Sequence, residues 1–147
     1  MSSITQNAVA VVERMFDRFD HGDIETIRRE IFAPDIVWVL PGRHPLGAAM
    51  HGPDEVLAFF QQLTDAGHQV TPVGGVGQLS ENTVVAFIHE LSPVHNGAQL
   101  DINNCLYCRV ENGKIKNVQV YVGDQYAADT YFNAAFALKP IPERLAR

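Results

Sequence analysis

Three polar side chains interrupt the last apolar runs of this chain. His89 lies in Thr83–Leu91, Asn104 lies in Leu100–Val110, and Asp124 follows Lys114–Val122 across a single glycine. If these runs are adjacent strands, the three can meet at one pocket. Asp124 would then sit at the mouth, where desolvation penalises a carboxylate's charged form and suits it to general acid or base work. His89 would be its partner or a second proton carrier, and Asn104, in phase with Ile102 and Leu106, would donate to a substrate oxygen. Asp124 also stands where a carboxylate caps a helix starting at Gln125. Glu90 faces the side opposite His89, so only one of that pair points inward. Four further residues complete the candidate substrate-binding set. Trp38 shares a strand face with Ile36 and Leu40 and serves as a wall, and His44 sits on a proline-rich loop at the entrance. Tyr121 lies near the end of the last strand, and Phe60 lies on a helix face that serves equally as core.

The elements that must position these groups follow from periodicity and turn chemistry. Ala8, Val12, Met15, Phe16 and Phe19 repeat at helical spacing and predict a helix over 5–20. His21-Gly22 closes it, and Asp23 caps a second short helix reaching about Ile31. A strand is expected at Ile36–Leu40, then a loop at Pro41–Gly47. Pro53, Asp54 and Glu55 open a third helix that buries Val56, Leu57, Phe59, Phe60 and Leu63 and ends near Ala66-Gly67. Strands follow at His68–Leu79, bent by Gly74, Gly75 and Gly77, and at Thr83–Leu91. Asn112-Gly113 joins the last two strands as a tight hairpin. A short helix is expected over Gln125–Leu138, with 139–147 as a tail. Helices first and strands after give an α+β domain, with three N-terminal helices packed in a curved antiparallel sheet. Strict alternation turns Asp124 away from Tyr121, and a bulge at Gly123 would restore a common facing.

Composition narrows the function. The chain has 147 residues, 46% hydrophobic and 19% charged, which suits a single domain spanning 1–147. No run reaches the roughly 18 apolar residues of a membrane span, and Met1–Asn7 does not read as a secretion signal, so a cytoplasmic location is expected. The net charge is −6 and the basic residues are scattered, which argues against nucleic acid as a partner. The six histidines show no ligand-like spacing, so no metal is expected. Gly74-Gly75-Val76-Gly77 is not followed by a helix and is no phosphate cradle. Cys105 and Cys108 form a C-x-x-C within one strand, on opposite faces and about 10 Å apart, so they cannot bridge. The convex sheet face is the expected surface of a homodimer.

Several segments together resemble the SnoaL-like members of the nuclear transport factor 2 and ketosteroid isomerase superfamily, over residues 5 to 135. They are the Gly22-Asp23 junction, Trp38-Val39-Leu40-Pro41-Gly42-Arg43-His44-Pro45-Leu46-Gly47, and His51-Gly52-Pro53-Asp54-Glu55-Val56-Leu57-Ala58-Phe59-Phe60. Gly113-Lys114-Ile115 and Gly123-Asp124-Gln125-Tyr126-Ala127-Ala128-Asp129 complete the set. The resemblance implies a cone-shaped α+β barrel that hosts isomerases, cyclases, dehydratases, epoxide hydrolases and non-catalytic binding domains. The positions matching the ketosteroid isomerase residues hold Met15, Leu40 and Leu106, which disfavours that reaction. Limonene-type epoxide hydrolases would use Asp124 with His89 or Glu90, and SnoaL cyclases would use Asp124 with His89 or His44. The resemblance thus implies a cofactor-independent acid/base enzyme for a small hydrophobic oxygenated molecule. The other reading it leaves open is a ligand-binding or protein-interaction domain without turnover.

Overall fold

The computed structural model describes residues 2–136, with side chains from Ala8 onward. The tail expected at 139–147, and the end of the helix expected to reach Leu138, lie outside the described residues. Helix α1 spans Ser2–Asp20 and α2 Ile24–Thr26, which runs on through a wide turn over Ile27–Ile31. Strand β1 (Phe32–Leu40), strand β2 (Ala48–His51) and helix α3 (Gly52–Asp65) follow. Four strands come next: β3 (Gln69–Gln78), β4 (Thr83–Leu91), β5 (Asp101–Glu111) and β6 (Lys114–Val122). Helix α4 (Gln125–Ala135) ends the described chain.

Local chemistry accounts for the joints. Gly22 takes a φ of 71°, and Asp23 accepts from the Thr26 N–H at 3.1 Å, so one helix stops and the next starts across only three residues. Asn112 and Gly113 both have positive φ, as a two-residue hairpin turn of β5 onto β6 requires. In β3 the register shifts between Pro72 and Val76, across Gly74 and Gly75 in left-handed conformations, and the strand bends there.

The six strands form one sheet in the order β2-β1-β6-β5-β4-β3. Two features depart from a purely antiparallel sheet made of the expected strands. β1 pairs parallel with β6, and the four-residue β2 adds an antiparallel edge to β1. A long connection joins β1 to β6, so no hairpin dictates their relative direction. β1 also begins earlier than expected and includes Pro34. The β2 partners start at Val37, so Pro34 sits where β1 has no neighbour on that side and its missing N–H breaks no ladder bond.

Helices α1 and α3 lie across the concave face. Phe60 is the hub of the core: its ring makes edge contacts with Phe19 at 5.2 Å, Trp38 at 5.1 Å and Phe32 at 5.9 Å. The other face of the sheet carries exposed Phe87, Tyr107 and Tyr121. Among the described residues no helix is long and apolar enough to cross a membrane.

Cys108 faces the core and Cys105 the outside, and both thiols are free. Burial, with a smaller contribution from Cys105, pushes the Cys108 thiol up to about 12. Its reactive thiolate is therefore almost absent near neutrality. Iodoacetamide at about pH 8 is expected to modify Cys105 slowly and leave Cys108 untouched until denaturant is added, as read by intact-mass spectrometry.

Candidate active site

A cavity of about 530 Å³, open mouth included, lies between the helices and the concave face. Met15, Phe16 and Phe19 from α1 and Phe59, Phe60 and Leu63 from α3 form one wall. Trp38, Leu40, Val70, Ile88, Leu106 and Val120 from the sheet form the other. Glu90 and Asn104 also line it, and Glu90 is its only ionisable lining residue among the described residues.

Glu90 is buried, and each carboxylate oxygen has a partner. Oε2 lies 2.7 Å from Nδ1 of His68, and Oε1 accepts from the Asn104 side-chain amide across a long 3.5 Å. The other His68 ring nitrogen, Nε2, lies 2.7 Å from the Tyr131 hydroxyl. A buried hydrogen-bonded chain thus runs from α4 through the start of β3 to the cavity wall. Burial pushes the Tyr131 phenol up, the nearby Glu90 charge adds to the effect and the Ser92 hydroxyl opposes it, so Tyr131 keeps its proton near neutrality.

Each member is placed by a local feature. Gly67 at φ 82° ends α3, the His68 N–H bonds back to the Leu63 carbonyl at 3.0 Å, and the imidazole is turned into the core. Asn104 is fixed by the Gly123 N–H, which donates to its Oδ1 at 3.2 Å. A Cβ on Gly123 would lie 2.1 Å from the Asn103 carbonyl oxygen, so only glycine allows that approach. This, and not a bulge, is the role of Gly123: from Arg109 opposite Asn117 the β5–β6 register runs unbroken to Asn104 opposite Val122, and the strand ends there.

The expected convergence of Asp124 with His89 is absent. Asp124 is exposed and is the N-cap of α4, its Oδ1 accepting from the Ala127 N–H at 3.0 Å. His89 points to the outer face and pairs with Asp101 at 2.6 Å. Tyr121 is 58% exposed on that outer face, because Val118 and Val120 take the inward phase of β6. His44 is buried but does not line the cavity. Its Nδ1 accepts from the Leu46 N–H, its Nε2–H donates to the Pro41 carbonyl, both at 3.2 Å, and its ring stacks on Phe132 at 4.5 Å. It folds the proline-rich loop onto α4. Trp38, Phe60 and Asn104 do line the cavity, and the Trp38 indole N–H is buried without an acceptor among the described residues.

Glu90, His68 and Tyr131 were not selected from sequence. Val84, Ala86 and Ile88 share the phase of Glu90, but Val85, Phe87 and Leu91 are as apolar in the opposite phase, so alternation could not choose between Glu90 and His89. His68 reads as a strand start and Tyr131 as one residue of an apolar helix. Their pairing links positions far apart in the chain.

Because Asp124 caps a helix, Asp124→Ala is expected to cost about 1 kcal/mol and Asp124→Asn only a few tenths. Urea unfolding of both variants against the parent measures this.

The comparisons with known proteins agree with this architecture. The family model of the SnoaL-like domain matches residues 12–118. An uncharacterised protein of Mycobacterium tuberculosis is 26% identical over 124 residues, which cover 83% of this chain and 93% of that protein. Among solved structures, Bal32a from a soil-derived mobile gene cassette superposes with a TM-score of 0.81 at 21% identity, covering 88% of this chain and 98% of Bal32a. A putative SnoaL-like polyketide cyclase from Jannaschia sp. CCS1 gives a TM-score of 0.72 at 18% identity, covering 92% and 98% of the two chains.

Proposed function

The chain belongs to the SnoaL-like domain family, and on that premise we propose that it is a cofactor-independent acid/base enzyme acting on a small, hydrophobic, oxygenated substrate. The reaction is of the cyclase, isomerase, dehydratase or epoxide-hydrolase type. One observation carries this reading: a buried carboxylate, Glu90, lines an otherwise apolar cavity beside a side-chain amide. A carboxyl group in such a place is costly to bury unless it is hydrogen-bonded, and proton transfer is work suited to it.

In this reading Glu90 takes a proton from the substrate or delivers one to it. Asn104 donates to the substrate oxygen on which charge develops, and the Trp38 N–H is a second donor for such an oxygen. For a ketone, removal of a proton next to the carbonyl leaves the electron pair delocalised onto that oxygen. Reprotonation elsewhere gives an isomer, and attack of the carbanion on a second carbonyl closes a ring. The polyketide cyclase description of the Jannaschia neighbour lends weight to the ring-closing branch. Asp124 and His89 receive no role, since both face away from the cavity.

A panel of epoxides, enones and polyketide-like ketones provides the test. Glu90→Gln keeps the shape of the site and removes the proton carrier, and is expected to lower kcat by about 10²–10⁴, whereas Asp124→Asn leaves the rate unchanged. A Glu90→Gln protein as active as the parent would overturn the assignment. Ligand that co-purifies with the parent but is never converted would favour the binding-domain reading.

We also propose that the chain forms a homodimer through the outer sheet face, supported by the cross-strand row in which Phe87 faces Cys105 and Cys105 faces Tyr121, with Tyr107 beside it. Light scattering at micromolar concentration is expected to give twice the chain mass, and Tyr121→Glu is expected to give a monomer.

A further inference from the structure

The two ends of an asparagine side chain have nearly the same shape, so the partners of Asn104 fix which end meets the cavity. The Gly123 N–H is a backbone group that can only donate, and the Asn104 atom 3.2 Å from it is therefore the oxygen, Oδ1. The nitrogen, Nδ2, is then the end that lies 3.5 Å from Glu90 Oε1. Asn104 and Glu90 both line the cavity, so the amide presents its hydrogens on the cavity side and its oxygen to the end of β6.

An amide nitrogen carries two hydrogens. One is directed at Oε1 across a long contact, and Nδ2 has no other acceptor among the described residues. Asn104 is 5% exposed, and its surroundings on this face are apolar: Ile88 is directly opposite on β4, and Leu106 is the next inward residue of β5. A ligand that fills the cavity displaces water from the spare hydrogen. It must supply an acceptor there or leave a buried donor unpaired. The orientation itself depends on a backbone approach that glycine permits. A Cβ at position 123 would lie 2.1 Å from the Asn103 carbonyl oxygen, so a side chain there pushes the backbone away and takes the N–H off Oδ1. Among the described residues no second donor reaches Oδ1.

We propose that Gly123 is a positioning residue for specificity: its N–H locks the Asn104 amide in one orientation and makes the wall beside Glu90 a donor subsite. The subsite selects a ligand that carries a carbonyl or ether oxygen over the hydrocarbon of the same shape. This deepens the reading of Asn104 as donor to the substrate oxygen and rests on it, but it requires binding only and no turnover. Gly123 acts through Asn104 and touches no ligand itself.

The ligand-free protein tests the orientation. In the isotope-labelled full chain, with Asn104 and Gly123 assigned by triple-resonance NMR, the NOE from the Gly123 amide hydrogen to the Asn104 side-chain amide hydrogens is expected to be weak or absent. A strong one means that nitrogen, not oxygen, faces Gly123, and the proposal is then wrong. Calorimetric titration with β-tetralone and tetralin, bicyclic molecules alike but for one carbonyl oxygen, tests the selectivity. The parent is expected to hold the ketone about 10-fold tighter, and Asn104→Leu and Gly123→Ala are each expected to erase that preference, the second while keeping Asn104. A parent that holds tetralin as tightly as the ketone, or that binds neither at millimolar concentration, overturns the proposal, as does a folded Gly123→Ala protein with the preference intact. If a variant does not fold, the NOE and the preference of the parent decide. Unchanged turnover in Glu90→Gln would instead remove the enzymatic reading and leave the donor subsite standing.

Discussion

A carboxylate buried against an apolar cavity is the constraint to which most of the structure answers. Breaking a buried charged pair by removing one partner typically costs about 3–5 kcal/mol, a large share of the roughly 5–15 kcal/mol that holds a domain together. Glu90 therefore needs hydrogen-bond partners, and three elements supply or back them. The end of α3 turns His68 inward, β5 offers Asn104, and α4 brings Tyr131 behind the imidazole. No two of these are adjacent in the chain, so the site exists only when the fold is complete.

The same requirement explains features that look unrelated to chemistry. Gly123 is a glycine because the chain passes against the Asn103 carbonyl, and the reward is an N–H that orients Asn104. The loop at Pro41–Gly47 is tied to α4 by the His44 ring on Phe132 and by Asp129, which accepts from the Arg43 N–H and from Gln125. Gly42 at φ 130° sits so close to His44, Asp129 and Gln125 that a Cβ would lie 2.5 to 2.6 Å from each. These contacts hold α4 in the place from which Tyr131 reaches His68. The loop histidine and the Pro41 carbonyl thus meet α4 and do not line the cavity.

The cavity persists because its walls cannot close on one another. Phe60, braced by Phe19, Phe32 and Trp38, props the helices above the sheet, and the bend in β3 keeps the sheet concave. Edge-to-face rings resist collapse better than flexible side chains would, since their shape leaves few alternative packings. The unpaired Trp38 N–H is the one polar group in this wall whose bonding the described residues leave open, and an unmet buried donor is a place where a ligand oxygen gains more than it would in water.

The sequence by itself determined all the elements but the short β2, and their order, because helical periodicity, Asp23 as a cap, Gly22 and Gly67 as stops and Asn112-Gly113 as a hairpin turn are local physics, each acting over a few residues. It also determined that β4 would turn one of His89 and Glu90 inward, and that Asn104 shared a phase with Leu106. Only the tertiary structure decided the rest. Both faces of β4 read as apolar because the outer face carries Val85 and Phe87, so alternation defined two faces without saying which was covered. Asp124 had the right residue type at the right strand end, yet two residues beyond β6 the chain has turned into a helix and its carboxylate serves the backbone. The parallel pairing of β1 with β6, the short β2 edge and the His68–Glu90–Tyr131 chain arise from contacts between distant segments. No local pattern encodes such contacts, because they form only when the sheet curves and the helices settle on one side of it.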